Sequence, residues 1–294
     1  MRTNYKGGRR GRRKPVLLWI VVLAALIYGG VRWFQWQQTG IETTVTAVEL
    51  PELPQGFDGL RIVHLSDSHG YEFGEDNGEL LAMVAEESPD LIVMTGDLID
   101  REEQILMVPA LAKGLCAIAP TYYVTGNHEW ALGSGAVREL KDLLETCGVT
   151  VLSNEYRVLE RKGASVVLAG VDDPNGYADQ KTPEELYGEI EEKYPESFVI
   201  LLAHRNDAIE RYAAAGYDLG LAGHAHGGIV RLPFTDGLLS PARSLFPTWT
   251  AGIYTVEDTT LFVSRGLGNN TVPINGFRLF NRPDLAVLEL KSTD

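Results

Sequence analysis

Five short apolar runs in this chain end in side chains able to bind a metal ion. RIVHLS leads into Asp67-Ser68-His69, LIVMT into Gly96-Asp97, TYYVT into Gly126-Asn127-His128-Glu129, FVILLA into His204, and YDLGLA into Gly223-His224-Ala225-His226. Taken singly, each has an ordinary explanation: an aspartate after a strand caps a helix or closes a turn, and a lone histidine is a satisfied core or surface residue. Taken together they point to chemistry, because five of the six histidines fall at these ends.

The donors are oxygen and imidazole without thiolate, which suits Mn, Fe, Zn or Ni better than a structural zinc site. Asp67, His69, Asp97, Asn127, His204, His224 and His226 are too many ligands for one tetrahedral ion. They suit two divalent ions roughly 3.5 to 4 Å apart, with Asp97 as the bridging carboxylate. On an extended backbone His224 and His226 would share a side roughly 6 to 7 Å apart, so that each reaches a different ion. Two dications outweigh the charges of Asp67 and Asp97, and such a centre acidifies a shared water and clamps phosphoryl oxygens. His128 is spare in the ligand count and is the candidate catalytic residue, able to bond a phosphate oxygen or protonate a leaving oxygen.

These residues need a frame that brings strand ends together. Short Val, Ile and Leu runs alternate with amphipathic stretches at 79–87, 102–119, 136–147 and 207–215, the pattern of an α/β domain with a sheet buried on both faces. In open α/β sheets the carboxyl ends of the strands form the ligand crevice. SVVLAG, GIYTV and TLFVS read as strands of a second sheet, with AVLEL closing the domain. His64, inside a strand, reads as structural.

The balance of charge narrows the partners. Formal net charge is -14, yet residues 1–14 carry seven bases and no acid. Those seven taken from 26 leave 19 basic residues against 40 acidic ones in the rest. A body that acidic gains nothing from counterion release, so no nucleic-acid partner is expected, and phosphate chemistry needs a local positive centre. After the basic arm, Val16 to Val31 contains no charge. At roughly 24 Å it falls short of the roughly 30 Å bilayer core, but Arg32 can snorkel while Trp33, Phe34 and Trp36 extend the apolar face. The segment lacks a small-x-small cleavage site and is read as an uncleaved anchor. Basic flanks stay inside, which predicts a cytoplasmic arm (1–14), a transmembrane anchor (15–36), a polar linker (37–41) and an extracytoplasmic domain (42–294). Cys116 and Cys147 lack C-x-x-C spacing and read as buried free thiols.

DSH, GDLID, GNHEW, the Ala203-His204 pair and GHAHGG together resemble the calcineurin-like metallophosphoesterase superfamily, over about residues 42 to 290. With the anchor, GHAHGGIVRLP and VSRGLGNN, the chain looks most like the membrane-associated YkuE-type branch. The resemblance implies a four-layer α/β sandwich of two sheets flanked by helices. It assigns Asp67, His69, Asp97 and His226 to a first metal, Asp97, Asn127, His204 and His224 to a second, and the catalytic role to His128. Manganese is the first expectation for both ions. Phosphorylated small molecules or lipids at the membrane are the expected substrates, including lipid-linked pyrophosphates such as UDP-diacylglucosamine, with which the branch is associated. A metal-binding surface scaffold is the alternative. Arg205, Arg243 and Arg265 could read a second phosphate, although surface ion pairing is the commoner role of arginine. Glu102 replaces the glycine of the related GDxxDRG pattern, which argues against a phosphate role for Arg101.

Overall fold

The computed structural model describes residues 13–232, 235–241, 244–269 and 277–293. The β-branched and leucine-rich runs form β1 (Glu42–Leu50), β2 (Arg61–Leu65), β3 (Leu91–Thr95), β4 (Thr121–Val124), β5 (Thr150–Val151), β6 (Glu155–Arg161), β7 (Ala164–Gly170), β8 (Val199–Leu202), β9 (Leu219–Ala222), β10 (Gly252–Val256), β11 (Thr259–Val263) and β12 (Asp284–Ser292). The helices are α1 (Arg13–Thr39), α2 (Gly78–Glu86), α3 (Val108–Ile118), α4 (Asn127–Ala131), α5 (Ser134–Thr146), α6 (Pro183–Lys193) and α7 (Ile209–Ala215). Residues 102–119 are not one helix: a 3-10 turn, Glu102–Met107, precedes α3, whose first turn carries Pro109. Proline lacks the N–H that a continuous helix would need there.

Two sheets of six strands are ordered β1-β12-β2-β3-β4-β5 and β10-β11-β9-β8-β7-β6. Both are mixed: β2 to β5 run parallel with β12 antiparallel beside β2, and β7, β8, β9 and β11 run parallel between antiparallel edges. Strand side chains alternate between faces. Val63 and Ile92 therefore pack with Leu80, Leu115 and Leu140 of the helices, while Ile62 and Val93 pack with Leu168, Ile200 and Leu221 of the other sheet. Val167 and Leu201 meet Leu186, Ile190 and Tyr212 on the far side. Three apolar layers separate four layers of secondary structure, the expected α/β sandwich.

One placement differs from the pattern reading. The five site-bearing strands divide between the sheets, β2, β3 and β4 in one and β8 and β9 in the other. β12, which contains the AVLEL run, closes the domain by inserting between β1 and β2 of the first sheet. Its residues Leu285 to Leu288 are all buried, which a central position requires.

α1 is long and apolar enough to cross a membrane from Val16 onward, with mean hydropathy 2.0. The basic arm at 1–12 lies outside the described residues. The polar stretch expected as a linker is instead helical through Thr39 and docked on the domain. Gln38 Nε2 donates to the Arg278 carbonyl and Gln38 Oε1 accepts from the Arg278 amide, each at 2.7 Å. The Arg282 guanidinium lies 4.1 Å from the Trp36 ring centre. Arg278, 2% exposed, in turn donates from Nη1 to the Arg265 carbonyl and from Nε to Gly268 O and Asn269 Oδ1. Two amide bonds lost at a part-buried site cost about 1 to 3 kcal/mol. Gln38→Ala in the full chain is therefore expected to lower stability by that amount, and a chain beginning at residue 42 to melt below one beginning at residue 33. Equal melting temperatures for the two truncations in thermal unfolding would show the docking to be energetically idle.

Candidate metal centre

All five predicted strand ends open at one edge of the sandwich, because the strands that carry them are parallel within each sheet. The turns are tight. Asp67, His69, Asp97, His224 and His226 have φ of 53°, 51°, 52°, 66° and 48°. This left-handed region costs an L-residue of order 1 to 3 kcal/mol, and five instances in one site mark a backbone shaped for function rather than stability. The geometry also corrects the extended reading of His224 and His226. The chain between them turns, with Ala225 right-handed, and the turn rather than a pleat sends the two rings to different partners.

Gly223 and Gly126 are among the glycines that leave no room for a side chain. A Cβ on Gly223 would collide with Ser66 Oγ and Asp67 Oδ2, and one on Gly126 with Asp97 Oδ1. Glu129, fully buried, then ties two of the loops together. Its carboxylate accepts from the backbone amides of Asp97 at 3.0 Å and Gly126 at 2.8 Å, and from Leu98 as well.

The seven candidate ligands come together in two groups. Ligand atoms of Asp67, His69, Asp97 and His226 lie within 4.8 Å of one another, as do those of Asp97, His204 and His224. His69 Nε2 is 3.0 Å from His226 Nε2, and His226 Nε2 is 3.4 Å from Asp67 Oδ1. His204 Nε2 is 3.1 Å from His224 Nδ1, 3.1 Å from Asn127 Oδ1 and 3.2 Å from Asp97 Oδ2. Asp97 is common to both groups.

The hydrogen bonds behind the rings test whether these residues suit a metal. His69 Nδ1 faces Asp100 Oδ1 at 2.6 Å, and His204 Nδ1 faces the Thr95 carbonyl at 2.7 Å. Both partners are acceptors, so each Nδ1 carries the hydrogen and each Nε2 turns a lone pair inward, as metal-binding imidazoles do. The residues fit divalent ions.

The electrostatics agree. Burial opposes a charged ring at His204, but Asp97, Asp67 and Asp173 outweigh it and push its pKa up to about 10. That proton marks where the carboxylates demand positive charge, which a divalent ion supplies equally well. Burial, then neighbouring cations, hold His224 and His226 well below the ordinary imidazole value, leaving neutral ligands. Burial would raise Asp97, yet the His204, His69 and His128 rings hold it well below the usual carboxylate range.

His128 lies beside the shared carboxylate. Its backbone amide donates to Asp97 Oδ1 at 2.8 Å, Nε2 is 3.8 Å from Asp97 Oδ2, and Nδ1 is 2.7 Å from Asp100 Oδ1. Burial disfavours its charge, but the Asp100 bond and the Asp97 charge raise its pKa above the ordinary value. Asp100 and Glu129 are the functional residues the pattern reading left without roles. Both stand inside quoted motifs, GDLID and GNHEW, and an acid there with no assigned task was the available signal.

The remaining candidates separate clearly. Arg265 is occupied by ion pairs with Asp284 and Glu42. Arg205 touches the centre through His224, Arg243 lies outside the described residues, and Arg101 is exposed. His64 is buried beneath the site, its Nε2 2.7 Å from Thr95 Oγ1. Cys116 and Cys147 are free thiols.

Comparison with known proteins fits this geometry. Residues 60–228 match the calcineurin-like phosphoesterase family. The metallophosphoesterase YkuE of Bacillus subtilis is 33% identical over 262 residues, 86% of this chain and 87% of its own. The phosphodiesterase YaeI of Escherichia coli is 29% identical, covering 79% of this chain and 82% of its own. A transmembrane protein with a metallophosphoesterase domain from Bos taurus is 34% identical over 264 residues, 84% of this chain and 57% of its own. The strand-end turns, the converging imidazoles and these relatives make the chain a member of the calcineurin-like phosphoesterase family, a hydrolase of phosphate esters.

Proposed function

We propose that the chain is a membrane-anchored phosphoesterase in which Asp67, His69, Asp97 and His226 hold one divalent ion and Asp97, Asn127, His204 and His224 a second. The observation that carries this reading is Asp97, a single buried carboxylate shared by two sets of converging ligand atoms. Manganese is the first candidate for both ions, with iron, zinc and nickel next. Bound there, the ions would acidify water and neutralise phosphoryl oxygens.

The side chains supply orientation and a proton. Nδ1 of His128 is engaged by Asp100, so Nε2 carries the mobile proton. Water attacks phosphorus, the bond to the leaving group breaks, His128 Nε2 protonates the departing oxygen, and the ring recovers a proton from solvent. The substrate is a phosphate mono- or diester or a pyrophosphate, small or lipid-borne. The name of the Escherichia coli relative puts diesters first among those to test. The seven bases of residues 1–14 keep the N-terminus cytoplasmic, so the domain beyond α1 stands outside.

Full-length protein in detergent with manganese is expected to hydrolyse an aryl phosphodiester or monoester, and His128→Ala to lower kcat about 10²- to 10⁴-fold. No turnover with manganese, iron, zinc or nickel would sink the reading. Because His128 acts protonated, activity is expected to be full below its raised pKa and to fall as pH climbs through it. Asp100→Asn removes the charge that raises that pKa, so the alkaline limb of kcat/KM should move to lower pH; an unmoved limb would clear Asp100 of this role. Finally, elemental analysis after dialysis should find His226→Ala depleted in the ion shared with His69 and His224→Ala in the one shared with His204. Two tightly held ions in both variants would refute the ligand assignment.

A further inference from the structure

Arg205 stands between the metal centre and a neighbouring cavity. Its Nε and Nη2 reach the two carboxylate oxygens of Asp173, at 2.6 and 3.3 Å, and Asp173 is 1% exposed. This two-point contact fixes the plane of the guanidinium. The third nitrogen, Nη1, lies 3.0 Å from Nε2 of His224. The other nitrogen of that ring, Nδ1, is the atom facing His204 and the Asp97 group.

A neutral imidazole has one lone pair and one N–H, and a guanidinium has donors only. With the Nδ1 lone pair given to a divalent ion, Nε2 must carry the hydrogen. Two donors then face each other across 3.0 Å with no acceptor between them. Asp173 keeps the guanidinium from rotating away, because turning Nη1 aside would break the fork. Donors converging in this way are what an oxyanion binds.

We propose that Arg205 Nη1 and His224 Nε2 form, in the metal-loaded protein, a subsite for a second anionic group on the substrate, so that the preferred substrates carry a further phosphate beside the one hydrolysed. This rests on the dinuclear reading above. The space next to Arg205 supports it: a cavity of about 200 Å³ runs from His204 and Arg205 past Tyr177 to Lys181 and Arg211. Lys181 pairs with Glu189 and Arg211 with Glu184, and all four side chains are 43% to 51% exposed. Exposed pairs of this kind are worth little, so a phosphate can displace the acids. Of the two arginines with this possible role that lie among the described residues, Arg205 is the one that reaches the centre, since Arg265 is occupied by Glu42 and Asp284.

The test compares methylenediphosphonate with methylphosphonate, neither of which is hydrolysed, by calorimetry on manganese-loaded full-length protein, with metal content measured before and after. Loss of a charge-assisted hydrogen bond corresponds to about 10- to 100-fold in affinity. The wild type is expected to prefer the diphosphonate by at least that lower figure, and Arg205→Gln to erase the preference while retaining two ions per chain. Arg205→Lys, which keeps the charge near Asp173 but not the fork, should lose most of it and serves if the glutamine variant does not fold. No preference in the wild type, equal weakening of both probes, or full preference in the variants would each overturn the subsite. Protein that takes up no metal would overturn both readings. Absent turnover with the preference intact strikes only the catalytic one, and turnover with equal affinities strikes only this one.

Discussion

Asp67 and Asp97 are 0% and 1% exposed, and a buried carboxylate is tolerated only where positive charge or hydrogen bonds answer it. This one constraint organises the site. Asp67 accepts the His224 amide through both oxygens, at 3.0 and 3.1 Å, and Asp97 accepts the His128 amide. The Asp67 bonds tie the turn after β2 to the turn after β9 across the two sheets, and the Asp97 bond ties the turn after β3 to α4 at the edge of one sheet. The imidazoles that answer the remaining charge must then point inward, which requires acceptors behind them. Asp100 and the Thr95 carbonyl are those acceptors.

Such an arrangement opposes the local preferences of the chain. Five non-glycine residues in left-handed conformation and a cluster of buried acids would not arise from stability alone. The surrounding structure therefore over-determines them. Glu129 shows the balance: burial and the nearby Asp97 charge push its pKa up to about 7, against backbone amides that favour the carboxylate. Held between these influences, it fixes the loops of β3 and β4 relative to each other, so the shared carboxylate has a single position.

What could be read in the sequence was the local part. The ends of β2, β3, β4, β8 and β9 were legible because each is a contiguous apolar run followed by polar donors, and the alternating pattern fixed the fold class. The division of those strands between two sheets was not legible, because pairing partners lie far apart in the chain and no short pattern encodes them. That His224 and His226 reach different partners was read from an extended backbone, whereas left-handed conformations at both residues produce it; residue type does not reveal φ. Asp100 was overlooked for a related reason. Its task is to accept from His69 and His128, and those rings come from other strands.

The end of α1 carries the same lesson further. Gln35 to Thr39 have the composition of a linker, yet Gln38 exchanges two hydrogen bonds with the backbone of a residue 240 positions away. Arg278 passes that contact on to the Gly268 carbonyl, and the Gly268 amide donates to the Asp67 carbonyl at 2.7 Å. The apolar helix is thus joined to a candidate ligand loop through two side chains and one glycine. A tether would only hold the domain near a membrane. These contacts also set which edge of the sandwich meets the helix, and Asp67 lies on that edge.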